Sequence, residues 1–211
     1  MPVYEMILVV AILSIGGFVQ SLSGFGYALF TTPIVSAMIT PTRAVVIVAI
    51  ANLFSSMRNL VKGRDEVSWK PARNMTIAAL AGMPLGIIIL EHVGSNGLRL
   101  VIGIVVAVIA TLIATGIEVR NGSLGLDLAS GFVSGVLNTS TGTNGPAVVI
   151  GLRPHRLSVR GFKSTSGLVF TISGMVGIAL FTWRDLVHLH DVWVALAAIP
   201  LQLGTARLGD R

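Results

Sequence analysis

Residues 131–146 read GFVSGVLNTSTGTNGP, a polar, glycine-rich interruption of a long apolar run. Residues 17–33 read GFVQSLSGFGYALFTTP and follow the same plan, since each stretch begins Gly-Phe-Val and ends in proline fifteen or sixteen residues later. Backbone that is neither helical nor apolar is costly inside a bilayer, and it survives there only when it is buried in protein or lines a cavity. Two such breaks in matching halves of a membrane protein indicate a transport site.

The composition indicates a membrane protein. Of the 211 residues, 53% are hydrophobic and only 11% are charged, and the mean hydropathy is +0.84. Soluble domains carry about 25% charged residues, so this chain cannot cover a water-facing surface. The formal net charge is +6, but the basic residues cluster in loops between apolar segments, which is typical of membrane topology and not of nucleic-acid binding. The chain has no cysteine, which excludes disulfides, thiol catalysis and thiolate metal sites.

Hydropathy predicts an all-α polytopic membrane protein with two repeats, residues 1–118 and 119–211. Each repeat opens with a broken apolar unit that is too long for one crossing and too short for two, because one span needs about 20 residues. With two short arms, such a unit is either a tilted broken helix or a re-entrant hairpin that enters and leaves on the same side. The predicted segments are a hairpin at 4–39 with helices at 43–57, 74–91 and 97–116, and a hairpin at 124–151 with helices at 164–182 and 190–206.

The distribution of lysine and arginine distinguishes these two arrangements. If both broken units are re-entrant, twelve basic residues lie inside and three lie outside. If the second unit spans the membrane, seven lie inside and eight lie outside. Only the first arrangement obeys the positive-inside rule. We therefore predict that the unit at 124–151 is a re-entrant hairpin that enters from the cytoplasm.

The same topology implies that the two repeats are inverted, because an odd number of crossings in the first repeat flips the second. Arg43 follows the first hairpin as Arg160 follows the second, at an offset of 117 residues. The sequence Met-Pro-Leu at 83–85 matches Ile-Pro-Leu at 199–201, at an offset of 116. The first repeat continues through 97–116, whereas the second has no matching segment, so the last helix of repeat two is expected to be absent.

The two breaks supply the candidate binding residues. Pro146 suits the first turn of a helix, where its missing N–H costs nothing, and Asn144 is then the expected cap. A helix N-terminus at mid-membrane offers free N–H groups and partial positive charge to an anion. By the same reasoning, Pro33 is expected in a first turn. The candidates are Ser21, Ser23, Gly24, Gly26, Thr31 and Thr32 in the first motif, and Asn138, Thr139, Ser140, Thr141, Thr143 and Asn144 in the second.

Alternatives remain open for these residues. Each polar side chain, taken singly, fits a structural role in a helix break equally well. Asn52, in the middle of a predicted helix, either faces the site or hydrogen-bonds a neighbouring helix. Arg43 and Arg160 either draw anions into opposite vestibules or anchor helix ends at the membrane interface.

No charged residue lies at the centre of a predicted span, which disfavours a proton relay or a sodium site. A neutral, donor-rich site suits a small anion, moved by a carrier, a channel or a facilitator. An intramembrane enzyme is disfavoured because no histidine lies in a predicted span and neither G-x-S-x-G nor H-E-x-x-H occurs. His188 and His190 have no evident partner ligand, so neither a metal nor a cofactor is expected.

The two motifs, GFVQSLSGFGYALFTTP and SGFVSGVLNTSTGTNGPAVV, resemble the paired glycine-rich signatures of the TauE/SafE sulfite exporter family. The resemblance covers nearly the whole chain in segment order. The family's three-glycine run is Gly24-Phe25-Gly26 here, its Gly-Gly-Pro is Asn144-Gly145-Pro146, and its last helix has no counterpart. By motif match, the implied binding positions are Ser23, Gly24, Gly26, Thr143, Asn144 and Gly145.

This resemblance implies a multi-pass permease of the bacterial inner membrane, with two homologous halves. Its substrate would be sulfite, a sulfonate or a related organosulfur anion, with a carboxylate as the alternative. The expected partners are this small anion and the lipid bilayer, without nucleic acid, and association into a homo-oligomer is left open.

Overall fold

The computed structural model describes residues 2–114 and 122–209, and the regular structure within these ranges is helical throughout. Short 3₁₀ turns lie at Arg64–Glu66 and Arg153–His155. The α-helices are α1 (Val3–Ser23), α2 (Tyr27–Met38), α3 (Pro41–Lys62), α4 (Trp69–His92), α5 (Ser95–Ala114), α6 (Leu124–Ser140), α7 (Gly145–Leu152), α8 (Val159–Trp183) and α9 (Leu189–Gly209). The predicted all-α fold class is therefore confirmed.

Most of these helices extend beyond the predicted segments at their polar ends. The helix predicted at 43–57 is α3, which continues to Lys62, and the helix predicted at 74–91 is α4, which begins at Trp69. Hydropathy misses these ends because lysine, arginine and tryptophan collect where a span leaves the apolar layer. The proposed repeat boundary at 118–119 lies outside the described residues.

The first broken unit combines a long helix with a short one. α1 has 21 residues because it continues through Gln20 and Ser21 to Ser23, so the expectation of two short arms is wrong here. The chain turns at Gly24 and Gly26, whose φ angles of 82° and 90° lie in the left-handed region that favours glycine. Since α2 begins directly after Gly26, Pro33 lies in its interior and not in a first turn, which corrects the prediction.

The second broken unit turns over four residues, 141–144, with Gly142 at a φ of 72°. Residues 138–140, although polar, are the last helical residues of α6. α7 then has eight residues, and Pro146 lies in its first turn, as predicted. Asn144 directly precedes α7, but its side chain makes no capping hydrogen bond, so the predicted cap is wrong.

α4 and α6 form the most extensive helix contact, and glycines make it possible. A Cβ added to Gly135 would clash with the carbonyl oxygen of Ala79, and a Cβ added to Gly82 would clash with that of Phe132. Small residues one turn apart let helix backbones approach closely in membranes. The next most extensive contact is between α1 and α9, and then α3 crosses α8.

The helices run between two ends of the bundle. We call one the basic end, where α3 and α9 finish and α4, α6 and α8 begin, and the other the opposite end. Basic residues concentrate at the basic end. Those described at the basic end are Arg58, Lys62, Arg64, Lys70, Arg73, Arg153, Arg156, Arg160, Lys163 and Arg207, and those at the opposite end are Arg43, Arg99 and Arg184.

Four of the described helices, α1, α3, α4 and α8, are long and apolar enough to cross a membrane. Large apolar side chains are exposed on the outside of the bundle, for example Ile7, Ile77, Leu100 and Met175. An extended apolar surface is suited to lipid contact and not to water. The chain is therefore a multi-pass membrane protein.

Candidate functional site

The two glycine-rich breaks meet inside the bundle. A Cβ placed on Gly145, at the start of α7, would lie 3.5 Å from the backbone nitrogen of Gly26, at the start of α2. Between them lies a cavity with about 10 Å³ for the centre of a water-sized sphere, enough for one water molecule. The lining consists of Gln20, Phe25, Gly26, Tyr27, Ala28, Leu29, Asn52, Asn144, Gly145 and Phe170. Four predicted site residues, Gly26, Asn52, Asn144 and Gly145, are thus brought together.

Two helix N-termini face this cavity. The first turn of α2, residues 27–29, forms one wall, and Gly145 of α7 forms another. The first N–H groups of a helix have no acceptor within the helix, and the helix dipole adds partial positive charge there. Two such ends around one cavity favour a small anion.

Side-chain amides complete the cavity wall. Asn144, which is 2% exposed, donates from Nδ2 to Asn138 Oδ1 at 3.0 Å, and Asn138 Nδ2 donates to the carbonyl oxygen of Ser173 at 3.2 Å. This relay fixes the second break to α8. Asn52 lines the cavity and also accepts a hydrogen bond from Ser56 Oγ at 3.3 Å, within its own helix.

Sequence reasoning missed six lining residues: Gln20, Phe25, residues 27–29 in the first turn of α2, and Phe170. Gln20 and Phe25 lie within the quoted first motif, so attention to every polar or aromatic residue of the break could have found them. Gln20 Nε2 donates to Ser56 Oγ at 3.1 Å, which links α1 to α3 beside the cavity. Phe170 lies in an apolar helix, and no local sequence signal distinguishes it from its neighbours.

The remaining polar residues of the second motif stabilise the break itself. Thr139 Oγ1 donates to the carbonyl oxygen of Met83 at 2.7 Å, which joins α6 to α4. Ser140 Oγ donates to the carbonyl one turn back at 2.6 Å. The hydroxyl oxygens of Thr141 and Thr143 lie 2.7 Å apart and share a hydrogen bond.

The threonines of the first motif lie inside α2. Thr31 Oγ1 donates to the carbonyl oxygen of Tyr27 at 2.9 Å, as expected for a threonine in a helix. Thr32 Oγ1 is buried and has no hydrogen-bond partner among the described residues. It faces the second break, since a Cβ on Gly142 would lie 3.3 Å from it.

The other first-motif residues shape the turn between α1 and α2. Ser23 Oγ donates to the carbonyl oxygen of Phe25, and the carbonyl oxygen of Gly24 accepts a hydrogen bond from Ser166 at 3.4 Å. The carbonyl oxygen of Ser21 accepts a hydrogen bond from Lys163 Nζ at 2.6 Å. These contacts hold the turn against α8.

Both predicted vestibule arginines form ion pairs. Arg43 Nε donates to Asp191 at 3.0 Å, and Asp191 is fully buried, so this geometry favours the anchoring alternative for Arg43. Arg160 lies 3.3 Å from Asp65 and 3.6 Å from Glu66, but its side chain is 56% exposed and borders a groove at the basic end.

A buried acidic residue joins the two ends of the second broken unit. Asp127, in the first turn of α6, accepts hydrogen bonds from His155 at 2.8 Å and from Asn74 at 3.1 Å. His155 lies in the turn that follows α7, so the chain returns to the end of the bundle from which α6 starts. The described residues contain no group of three or more acidic or histidine side chains that could hold a metal ion.

Comparison with known proteins identifies the family of the chain. The sequence model described as Sulfite exporter TauE/SafE matches residues 8–211. A Cupriavidus necator protein named "Probable sulfite/organosulfonate exporter TauE" is 23% identical over 209 residues, which cover 95% of this chain and 81% of that protein. No solved structure matches the chain. Because the family match includes both glycine-rich breaks, the chain belongs to the TauE/SafE sulfite exporter family, a family of membrane transporters.

Proposed function

We propose that the protein carries a small sulfur oxyanion, sulfite or an organosulfonate, across the bacterial inner membrane through the cavity between the two breaks. One observation carries the proposal: the N-termini of α2 and α7 converge on the same cavity. No carboxylate of the described residues lines it. Helix ends and neutral amides attract an anion without the strong ion pair that would slow its release.

The proposed substrate class rests on sequence similarity to a named relative. The Cupriavidus necator relative is named as a probable sulfite/organosulfonate exporter, and both glycine-rich motifs lie in the matched region. The cavity chemistry itself requires only a small anion with several acceptor oxygens. A carboxylate permease is therefore the second candidate, and the substrate screen below separates the two.

The size of the cavity supports a carrier with alternating access. About 10 Å³ admits a single water molecule, so sulfite, with four heavy atoms, requires the two breaks to move apart. We propose that one repeat rocks against the other to open the site to each side in turn. An anion channel or facilitator would instead need a continuous path.

The helix contacts support two inverted repeats. If α1, α3 and α4 correspond to α6, α8 and α9, the contact of α1 with α9 becomes the contact of α6 with α4. In the same exchange α3 and α8 trade places, so their contact remains the same contact. Such an exchange is expected of two repeats related by a pseudo-two-fold axis.

The ends of the broken units support hairpins that enter from opposite sides. The second unit starts and finishes at the basic end, where Asp127 contacts His155. The first unit returns to the opposite end, where Arg99 of α5 donates to the carbonyl oxygen of Ser36 in α2 at 3.0 Å. We propose that both are re-entrant, so that the site can be reached from either face.

Cysteine labelling tests this topology in a chain that has no native cysteine. We expect Leu124→Cys and Val159→Cys, which flank the second hairpin, to react with an impermeant maleimide from the same side as Asp65→Cys. Asn96→Cys, exposed at the opposite end, should react only from the other side. Labelling of Leu124→Cys and Val159→Cys from different sides would show that the second unit spans the membrane.

Flux into proteoliposomes tests the function. We expect the purified protein to move sulfite or sulfoacetate faster than acetate, with taurine and sulfate as further probes of charge and shape. Turnover at carrier rates, saturating with substrate concentration, is expected because each cycle requires the breaks to separate. Transport of carboxylates alone would refute the sulfur-anion assignment, and conduction at channel rates would refute alternating access.

A further inference from the structure

A groove at the basic end is separate from the central cavity. It lies between the end of α3 and the start of α8 and has a volume of about 390 Å³. Its lining consists of Asn59, Lys62, Gly63, Val159, Arg160 and Lys163. Three of these residues are basic and none is acidic, so the groove attracts negative charge.

Asn59, which lines this groove, has an unused donor. The residue is 6% exposed, and its Nδ2 has no hydrogen-bond partner in the part of the chain that the structure describes. An unpaired buried donor costs about 1–3 kcal/mol, and buried donors are rarely left without an acceptor. An acceptor from outside the chain would remove this cost, and the neighbouring cations favour an anionic one.

Lys163 supplies a charge that no carboxylate neutralises. Its Nζ donates to the carbonyl oxygen of Ser21 at 2.6 Å, and no acidic side chain of the described residues pairs with it. An ammonium group has three donors, so two remain for a ligand. Arg160, in contrast, shares its charge with Asp65 and Glu66.

One polar face of α3 connects the groove with the central cavity. Asn59, Ser56 and Asn52 are three and four residues apart, which places them on one face of the helix over about 10 Å. Asn52 lines the cavity, whereas Asn59 lines the groove. Phe25 of the cavity wall packs edge-on against Phe162, with ring centres 6.3 Å apart, next to Lys163 in sequence.

The opposite end carries fewer uncompensated charges than the basic end. Arg43 pairs there with buried Asp191, and Arg184 pairs with Glu91 at 2.6 Å. Arg99 donates to backbone carbonyl oxygens of Ser36 and Ile39. Of these three arginines, only Arg99 therefore keeps a charge that no carboxylate of the described residues compensates.

We propose that the groove is a docking site for sulfonate or sulfite at one face of the transporter only, held by Lys163 and Asn59 before the anion reaches the cavity. The identity of this ligand rests on the proposed function, whereas the site itself rests on the groove. Docking raises the local concentration of anions at the basic end, from which the polar face of α3 leads inwards.

Calorimetric binding of benzene-1,3-disulfonate to the purified protein tests the site, because this probe is too large for the central cavity. Lys163→Gln and Asn59→Asp, the second nearly isosteric, should each weaken binding about tenfold or more, since a hydrogen bond to a charged group contributes about 1.5–3 kcal/mol. Lys163→Arg should retain binding. Lys70→Gln, at the same end but outside the groove, and Asn144→Leu, in the cavity, should leave the affinity within about twofold.

The possible results separate the two proposals. Unchanged binding in Asn59→Asp and Lys163→Gln, or loss of binding only in Asn144→Leu, would overturn the groove. If phosphatidylglycerol, and not the disulfonate, stabilises the protein in an Asn59-dependent manner, the groove holds a lipid headgroup and substrate docking is wrong. If the expected binding pattern is found but no anion is transported, the groove stands and the proposed transport function fails.

Discussion

Gly135→Leu is expected to prevent folded protein from accumulating in the membrane. The added side chain would begin inside the space of the Ala79 carbonyl group, so α4 and α6 could no longer approach as they do. Overpacking costs about 1–3 kcal/mol when side chains can shift, and more when backbones must separate. Because a whole domain is stable by only about 5–15 kcal/mol, we expect loss of the monodisperse peak in fluorescence-detected size-exclusion chromatography.

Gly125→Leu is the matched control, because it lies on the same helix, α6, with no neighbouring atom within 4 Å of its added Cβ. We expect this variant to accumulate like the wild type. Gly135→Ala should be intermediate, with a melting temperature lowered by several degrees, since 1 kcal/mol corresponds to about 2–4 °C in a domain of this size. Equal behaviour of Gly135→Leu and Gly125→Leu would mean that the close α4–α6 contact is incorrect.

The fold could be predicted in outline because its determinants are local and cumulative. Runs of apolar residues near spanning length require helices in a bilayer, and glycine at 24, 26 and 142 supplies the left-handed turns of the breaks. The helix ends were less predictable, because charged residues can also be helical and a helix need not end at the first of them. The length of α1 shows this, because Gln20 contacts α3 and the carbonyl oxygen of Ser21 contacts α8, and no local pattern reveals either contact.

Site residues could be predicted where the break in the backbone itself places them at the cavity. They could not be predicted where tertiary packing decides their position. Gly26, Asn144 and Gly145 line the cavity because the breaks themselves meet there. Thr139 and Ser140 have the same polar character, yet their hydroxyls bond backbone carbonyls away from it, since α6 continues through them. Asp191 lies in the first turn of α9, and its buried ion pair with Arg43, which is distant in sequence, could not be found from a local pattern.

Asn144→Leu is expected to abolish anion flux while leaving the protein folded. The substitution removes an amide from the cavity wall and adds an apolar side chain beside a space that holds only one water molecule. A hydrogen bond to a charged ligand contributes about 1.5–3 kcal/mol, so binding alone should weaken about 10- to 150-fold. Initial rates of sulfite uptake into proteoliposomes, compared at equal protein content, measure the effect.

Stability should change much less than flux in this variant. Asn138 Oδ1 loses its donor, which costs about 1–3 kcal/mol, but Asn138 retains its hydrogen bond to the carbonyl oxygen of Ser173. Asn96→Leu, an equivalent change at an exposed position of α5, should preserve both flux and stability. Asn144→Asp keeps the shape of the side chain, but its carboxylate repels an anion, so anion flux through this variant should also fall steeply. Undiminished flux in Asn144→Leu would exclude the second break from the transport site, because no anion could then depend on the amide that the break places there.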